Sequence, residues 1–246
     1  VKADPAAQRR LLDLQAVDTS LAQLAHRRRS LPELAEIARH DERLSALSGD
    51  VVRLETEVGD FARDERRLEA DVEQVRQRAT RDQDRMNAGR VGSPKELESL
   101  QHEVTSLARR QSDLEDQVLD LMERREQVQG RLNRIRAEVM SVSAQRSAAV
   151  DTRDKVWAEI DGELALAGRA REAIAPEVPA DLLALYEKIR EQAGVGAALL
   201  RGTRCEGCHL ELSPSEMARV RAAAPEEIVR CEDCRRILVR TAESRL

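Results

Sequence analysis

The sequence predicts a mainly α-helical protein: a long antiparallel coiled-coil hairpin followed by a small C-terminal α+β domain. Three observations carry this prediction. Two long stretches repeat apolar residues at alternating spacings of three and four, one short glycine- and proline-containing break separates them, and all four cysteines fall in two Cys-x-x-Cys pairs near the C-terminus. The expected division is a hairpin over 1–175 with a kink near 30–32 and a tip at 87–94, a connector helix over 176–194, and a cysteine-bearing domain over 195–246.

Composition supports the helical reading. Of 246 residues, 35% are charged and 1% aromatic, namely Phe61, Trp157 and Tyr186. So few large side chains cannot fill a broad globular core, whereas helices joined along a narrow stripe need no such filling. The formal net charge of -5 gives no global field to attract nucleic acid, so any such contact has to be local. No apolar run is long enough to span a bilayer and no signal-peptide pattern opens the chain, so the expected setting is soluble and cytoplasmic, without membrane contact.

Asp4 and Pro5 read as the N-cap and first residue of a helix to about Arg29, with Leu14, Val17, Leu21 and Leu24 on one face. Pro32 removes a backbone hydrogen bond and predicts a kink or short break near Ser30 to Pro32. From Leu44 the stripe runs through Leu47, Val51, Leu54, Val58 and Phe61 to Glu65, then Leu68, Val72, Val75 and Ala79. After the tip it returns from Leu97 and Leu100 through Gln111, Leu114, Arg125, Val128 and Leu132 towards Ile174. Sustained three-four spacing is the heptad seam of a left-handed coiled coil. Antiparallel pairing about the tip sets Phe61 opposite Leu121 and Leu54 opposite Val128, and the polar seam residues Glu65, Gln111 and Arg125 fix register at some cost in stability.

The tip itself, Asn87 to Pro94, predicts its own exit. Ser93 suits an N-cap, Pro94 the first helical position, and Glu96 the return arm of a capping box. Gly168, Pro176 and Pro179 end the second long helix, and Asp181 opens the connector. Alternation from Val195 to Thr203 predicts a strand, Ser213 to Glu216 start a short helix to about Ala223, and short strands follow at Ile228 to Arg230 and Ile237 to Arg240.

Cys205-Glu206-Gly207-Cys208 and Cys231-Glu232-Asp233-Cys234 are separated by twenty-two residues. A two-residue gap lets both thiolates of a turn face one ion, and two such turns complete the tetrahedral soft-ligand set that zinc takes in structural sites. One structural Zn2+ held by Cys205, Cys208, Cys231 and Cys234 is therefore expected. Four thiolates leave no open position for water, which argues against hydrolysis. A redox dithiol needs only one pair and lacks a surrounding strand-helix-strand pattern. His209 adjoins Cys208, and a neighbour in so tight a turn points elsewhere.

The hairpin, the Tyr186-Glu187-Lys188-Ile189-Arg190 helix, Cys205-x-x-Cys208-His209 and Cys231-x-x-Cys234-Arg235-Arg236-Ile237-Leu238 together resemble the bacterial C4-type zinc-ribbon, coiled-coil-hairpin family over essentially the whole chain. Relatives commonly carry Cys-Pro-x-Cys-Gly-Arg-Ile-Leu at the second knuckle; Glu232 stands here for the proline and Arg235 for the glycine, so the resemblance implies a slightly altered knuckle. Some relatives in flagellated bacteria are linked to an alternative sigma factor and to flagellin messenger RNA.

Charge is uneven. Arg76, Arg78, Arg81, Arg85, Arg90 and Lys95 against Asp82 and Asp84 leave an excess of four positive charges over residues 76–95. Arg235 and Arg236, with Arg230 and Arg240, form a second basic run in an otherwise balanced domain. Neither place has an aromatic residue for base stacking, which sets a protein partner ahead of base readout. The leading expectation is a non-enzymatic adaptor with no small-molecule substrate, binding macromolecules through the tip and the ribbon. The alternative is a nucleic-acid-binding factor acting in transcription or RNA handling through backbone contacts. No nucleophile-base pair, phosphate loop or open metal site points to an enzyme.

Overall fold

The computed structural model describes residues 1–246. Five α-helices and four short strands occur in the order α1 (Pro5–Arg29), α2 (Pro32–Asn87), α3 (Pro94–Ile174), α4 (Ala180–Ala193), β1 (Ala197–Arg201), β2 (Arg204–Cys205), α5 (Pro214–Ala222), β3 (Val229–Arg230) and β4 (Ile237–Val239). The fold is mainly α, with a helical hairpin and a small C-terminal strand region. The chain divides into two compact units, one of residues 1–34 and 151–246 and one of residues 35–150.

The first unit is built around a four-stranded sheet of order β2-β1-β4-β3, with β1 and β4 parallel at its centre and the outer pairs antiparallel. Successive strand residues face opposite sides, so each face of the sheet builds its own core. Ala197, Ile237 and Val239 pack with Leu11 and Leu14 of α1 and with Leu182, Tyr186 and Ile189 of α4. Ala198, Leu200 and Leu238 pack on the opposite side with Met217 and Val220 of α5 and with Cys205 and Cys231. The sequence predicts β1 as an alternating strand; with residues of both faces packed in cores, Ala197, Ala198 and Leu200 are all buried, while Leu199 is half-buried. The segment expected as a connector contributes core instead, because Leu182, Tyr186 and Ile189 line one side of the sheet.

α1 begins as its sequence dictates, with Asp4 Oδ1 accepting the Ala6 N–H at 2.7 Å, a cap worth about 1 kcal/mol. Its buried face differs from the expected one. Gln8, Leu11, Leu14, Gln15 and Asp18 are buried, while Val17, Leu21 and Leu24 are only half-buried. The reason is polar. Gln15 Oε1 accepts from the Gly196 N–H at 2.6 Å, and Gln8 Nε2 donates to the carbonyls of Ala3 and Pro225 at 2.9 and 2.8 Å. Asp18 accepts from the Tyr186 hydroxyl and from Arg171 Nε, both at 2.7 Å, with Arg190 Nε 3.5 Å away. Burial, then the Asp18 carboxylate, push the Tyr186 pKa upward, so the hydroxyl stays a donor. A buried carboxylate is costly unless fully matched, and these donors supply the match.

Of the kink or short break expected near Ser30 to Pro32, the structure has the break. α1 stops at Arg29, the Ser30 N–H closes on His26 at 3.0 Å, and Pro32 opens α2, where its missing N–H costs nothing. Trp157 seals the end of α1: its indole N–H donates to the Arg28 carbonyl at 3.1 Å, and the Arg28 and Arg153 guanidinium groups lie 4.6 and 4.5 Å from its ring. Gly168 does not end α3, which continues to Ile174.

In the second unit the seam holds as expected. Leu54, Val128 and Leu132 form a buried cluster flanked by Val51, Val58, Phe61 and Ile135, which places the anticipated Leu54 and Val128 together. Glu65 and Arg125 pair with each other across the arms, so two register residues act as one device. Gln111 instead bonds within its own helix, to Glu115 at 2.8 Å. At the tip α2 ends in a Schellman turn: Arg90 N–H reaches the Arg85 carbonyl and Gly89 N–H that of Met86, both at 3.1 Å, with Gly89 at φ +64°. Ser93 Oγ caps α3 through the Glu96 N–H at 3.2 Å, while Glu96 Oε2 reaches one residue past Ser93 to accept the Gly92 N–H at 2.7 Å. Leu97, expected in the seam, is left 38% exposed, and the buried seam of α3 begins at Leu100.

Candidate metal centre

Each Cys-x-x-Cys pair is folded by the same local bonds. In the first, the His209 N–H reaches the Cys205 carbonyl at 2.7 Å and the Cys205 N–H the Leu210 carbonyl at 3.0 Å; in the second, the Arg235 N–H reaches Cys231 at 3.0 Å and the Cys231 N–H reaches Arg236 at 3.1 Å. The residue after each second cysteine must then adopt a left-handed backbone, and His209 and Arg235 do so at φ +64° and +61°. Arg235 thus takes the geometry that a glycine would supply at lower strain. An arginine precedes each knuckle and steadies it: Arg204 Nε donates to the His209 carbonyl at 3.1 Å and Arg230 Nε to the Arg235 carbonyl at 2.8 Å. The repeated Arg-Cys-Glu-x-Cys string was the available sequence signal for this internal symmetry.

The two knuckles bring four sulfurs together. Cys205 Sγ lies 3.9 Å from Cys234 Sγ and Cys208 Sγ 3.9 Å from Cys231 Sγ, and all four atoms are within 4.8 Å of one another. Tetrahedral zinc with bonds of about 2.3 Å has sulfurs about 3.8 Å apart, whereas a disulfide requires about 2.0 Å. The donor set and its spacing fit one structural zinc. His209 is exposed and its ring faces Glu206 at 4.0 Å, so it stands outside the sulfur cluster.

The electrostatics of the thiols fit metal capture. Burial pushes the Cys205 thiol up to about 12, against the opposing backbone N–H groups of Cys208 and Gly207, and burial likewise raises Cys231. At Cys234 burial pushes upward too, but the Arg236 N–H and the three neighbouring thiols outweigh it and the thiol titrates below its ordinary value. Metal therefore has to displace protons from the buried cysteines, which makes its affinity fall with acidity. The helix between the knuckles braces the second one. Ser213 and Glu216 close a full capping box at the start of α5, and Glu216 Oε1 also accepts the Glu232 N–H at 3.3 Å.

Much of the basic run in the ribbon is committed to structure. Arg236 crosses the first knuckle to donate to the carbonyls of Gly207, Val195 and Ala193 at 2.8, 3.3 and 3.3 Å. A Cβ on Gly207 would sit 2.8 Å from Arg236 Cδ, so glycine is required beneath that crossing. Arg240 gathers the carbonyls of Val220, Ala223, Ala224, Pro225 and Glu227. Arg235 keeps an exposed side chain. At the hairpin tip Arg78 pairs with Glu103, Arg85 with Glu96 and Arg76 with Glu73. The carboxylates of Glu96, Glu98 and Glu103, from the other arm, reduce the local excess from four positive charges to one. Arg81, Arg90 and Lys95 are exposed and make no ion pair.

The fold and the site define a helical-hairpin protein with a four-cysteine zinc ribbon, a pairing that points to binding instead of chemistry. Residues 14–194 match the CT398-like coiled coil hairpin domain and residues 204–238 the C4-type zinc ribbon domain. The chain belongs to the CT398-like coiled-coil hairpin family. It is 35% identical over 240 residues to the uncharacterized protein Rv2229c of Mycobacterium tuberculosis, covering 98% of each chain. A solved structure from Mycobacterium smegmatis superposes with a TM-score of 0.87 at 33% identity, covering 98% of this chain and 100% of that one. The structure of CT398 from Chlamydia trachomatis shares the fold, with a TM-score of 0.73 at 20% identity over 95% and 97% of the two chains. No helix is long and apolar enough to cross a membrane.

Proposed function

We propose that the protein is a non-enzymatic adaptor whose zinc ribbon and hairpin tip each engage a macromolecule. The observation that carries this reading is the metal centre: four sulfurs account for every position of a tetrahedral zinc, so the ion builds a surface and has no site for a substrate. Arg81, Arg90 and Lys95 at the tip and Arg235 beside the second knuckle are the exposed cations such surfaces would use. Arg76, Arg78 and Arg85 act mainly within the hairpin, and Arg236 within the ribbon.

A second reading, binding of a nucleic-acid backbone, draws on the same exposed tip cations. The two separate on salt. Backbone binding falls steeply as salt rises and loses part of its slope when Arg81, Arg90 and Lys95 are replaced by glutamine. A protein contact built on apolar area keeps most of its affinity. Purification of the tagged protein from its native cell, with and without nuclease, tests the proposal: one stoichiometric protein that survives nuclease supports the adaptor, and recovery of RNA or DNA alone contradicts it.

A further inference from the structure

One side of the hairpin is apolar where a two-helix seam would leave it polar. Leu119 and Met122 follow the seam residues Val118 and Leu121 by one position, yet they are 58% and 40% exposed. With Val58 and Ala62 they line one stretch of a groove between α2 and α3, and Leu119 with Val72 and Val118 lines the next, so the two stretches are continuous. The groove runs along residues 58–76 of α2 and 115–129 of α3. At 1.5 Å per residue that is about 27 Å, the length of an 18-residue helix.

Its rim is acidic. Glu69, Glu115, Glu123 and Glu126 border the apolar floor and form no ion pair. The two cations of the groove are already engaged, Arg125 by Glu65 and Arg76 by Glu73. An apolar strip between two α-helices is the surface into which a third amphipathic helix lays its apolar face. Rim carboxylates without a cationic partner favour lysine and arginine on that helix's flanks and disfavour glutamate and aspartate.

We infer that the side groove formed by Val58, Ala62, Val72, Val118, Leu119 and Met122 docks a basic amphipathic helix of a partner protein. This goes beyond the adaptor reading above, since it uses neither the cations of the tip nor the ribbon. The occupant presents leucine-like side chains at three-four spacing to the floor and cations to the rim over about five turns.

The test uses the full-length zinc-loaded protein and labelled 18-residue designed helices, followed by fluorescence anisotropy. One peptide has a leucine stripe flanked by lysine, a second has glutamate in place of every lysine, and a third has the first composition in scrambled order. The lysine helix is expected to bind saturably, and the glutamate and scrambled peptides at least tenfold more weakly. Leu119→Glu and Met122→Glu each weaken the lysine helix at least tenfold, while Met140→Glu, at a 75% exposed site outside the groove, leaves it unchanged. All three sites are exposed, and circular dichroism confirms that the variants remain helical. No binding of the lysine helix, equal binding of all peptides, or insensitivity to Leu119→Glu overturns the assignment. So does light scattering that shows self-association abolished by Leu119→Glu, because a second copy would then be the occupant.

Discussion

Residues 1–34 and 151–246 hold their fold by sandwiching a sheet between two apolar clusters, with buried polar ties and a four-sulfur centre, whereas residues 35–150 rely on one apolar seam and cross-arm ion pairs. The first unit concentrates its stability in a few irreplaceable groups: Tyr186 is fully buried, Asp18 is matched by three donors, and the sulfurs close both knuckles. The second spreads it. Its ion pairs, such as Arg43 with Glu138 and Arg136 with Glu55, are about half exposed and contribute about 0–1 kcal/mol each. Single substitutions should therefore be severe in one unit and mild in the other, even though both contain long helices.

The largest effect is expected at the metal centre. Cys231→Ser should abolish stoichiometric zinc, measured by a colorimetric chelator after denaturation, and remove the thermal transition of the first unit while the helical signal of the second persists. Next comes steric strain where a strand meets α4. A Cβ on Gly196 would lie 2.6 Å from Tyr186 Cδ2 and 2.7 Å from its carbonyl oxygen, so Gly196→Ala should cost about 1–3 kcal/mol in urea unfolding. Tyr186→Phe, which removes one donor from buried Asp18 without changing shape, should cost about 1–2 kcal/mol.

In the second unit the counterpart is the Glu65–Arg125 pair. Glu65→Ala should cost about 1 kcal/mol, because Arg125 is 38% exposed and keeps water as a partner. The double change Glu65→Leu with Arg125→Leu should recover that loss or exceed the parent, since an apolar seam needs no desolvated charge. A recovered double variant that forms mixed registers, seen as several species in cross-linking, would show what the pair provides. The smallest effect concerns acid. Backbone hydrogen bonding from Ser213 lowers the Glu216 pKa, so its contribution is present above the ordinary carboxylate range of about 4.3 and is lost as pH falls through the lower folded value. Glu216→Gln should flatten that part of the stability-pH curve relative to the parent.

The contrast also explains what could be read from sequence. The seam was legible because its period is carried by side chains whose environment depends only on the facing helix, and the metal centre because spacing alone sets thiolate geometry. The buried ties were not. Gln8, Gln15 and Asp18 are polar residues on the core face of α1, and a hydropathy pattern assigns such residues to water unless the sheet and the Tyr186 hydroxyl that satisfy them are known. The same blindness affected charge. A count along residues 76–95 omits Glu96 and Glu103, which the opposite arm brings to Arg85 and Arg78. Leu97, one turn from the tip, stays 38% exposed although Leu100, the next seam residue, is buried.

The sulfur centre should be integral to the first unit and dispensable for the second. Hydrogen exchange followed by mass spectrometry, on the full chain with zinc and after exhaustive chelation under reducing conditions, tests it directly. Chelation should strip protection from residues 195–246, including the Gly196 and Ala197 amides tied to Gln15, while the buried seam amides around Leu54 and Val128 exchange as slowly as before. Unchanged protection of the sheet after complete zinc loss, or equal loss across both units, would contradict it.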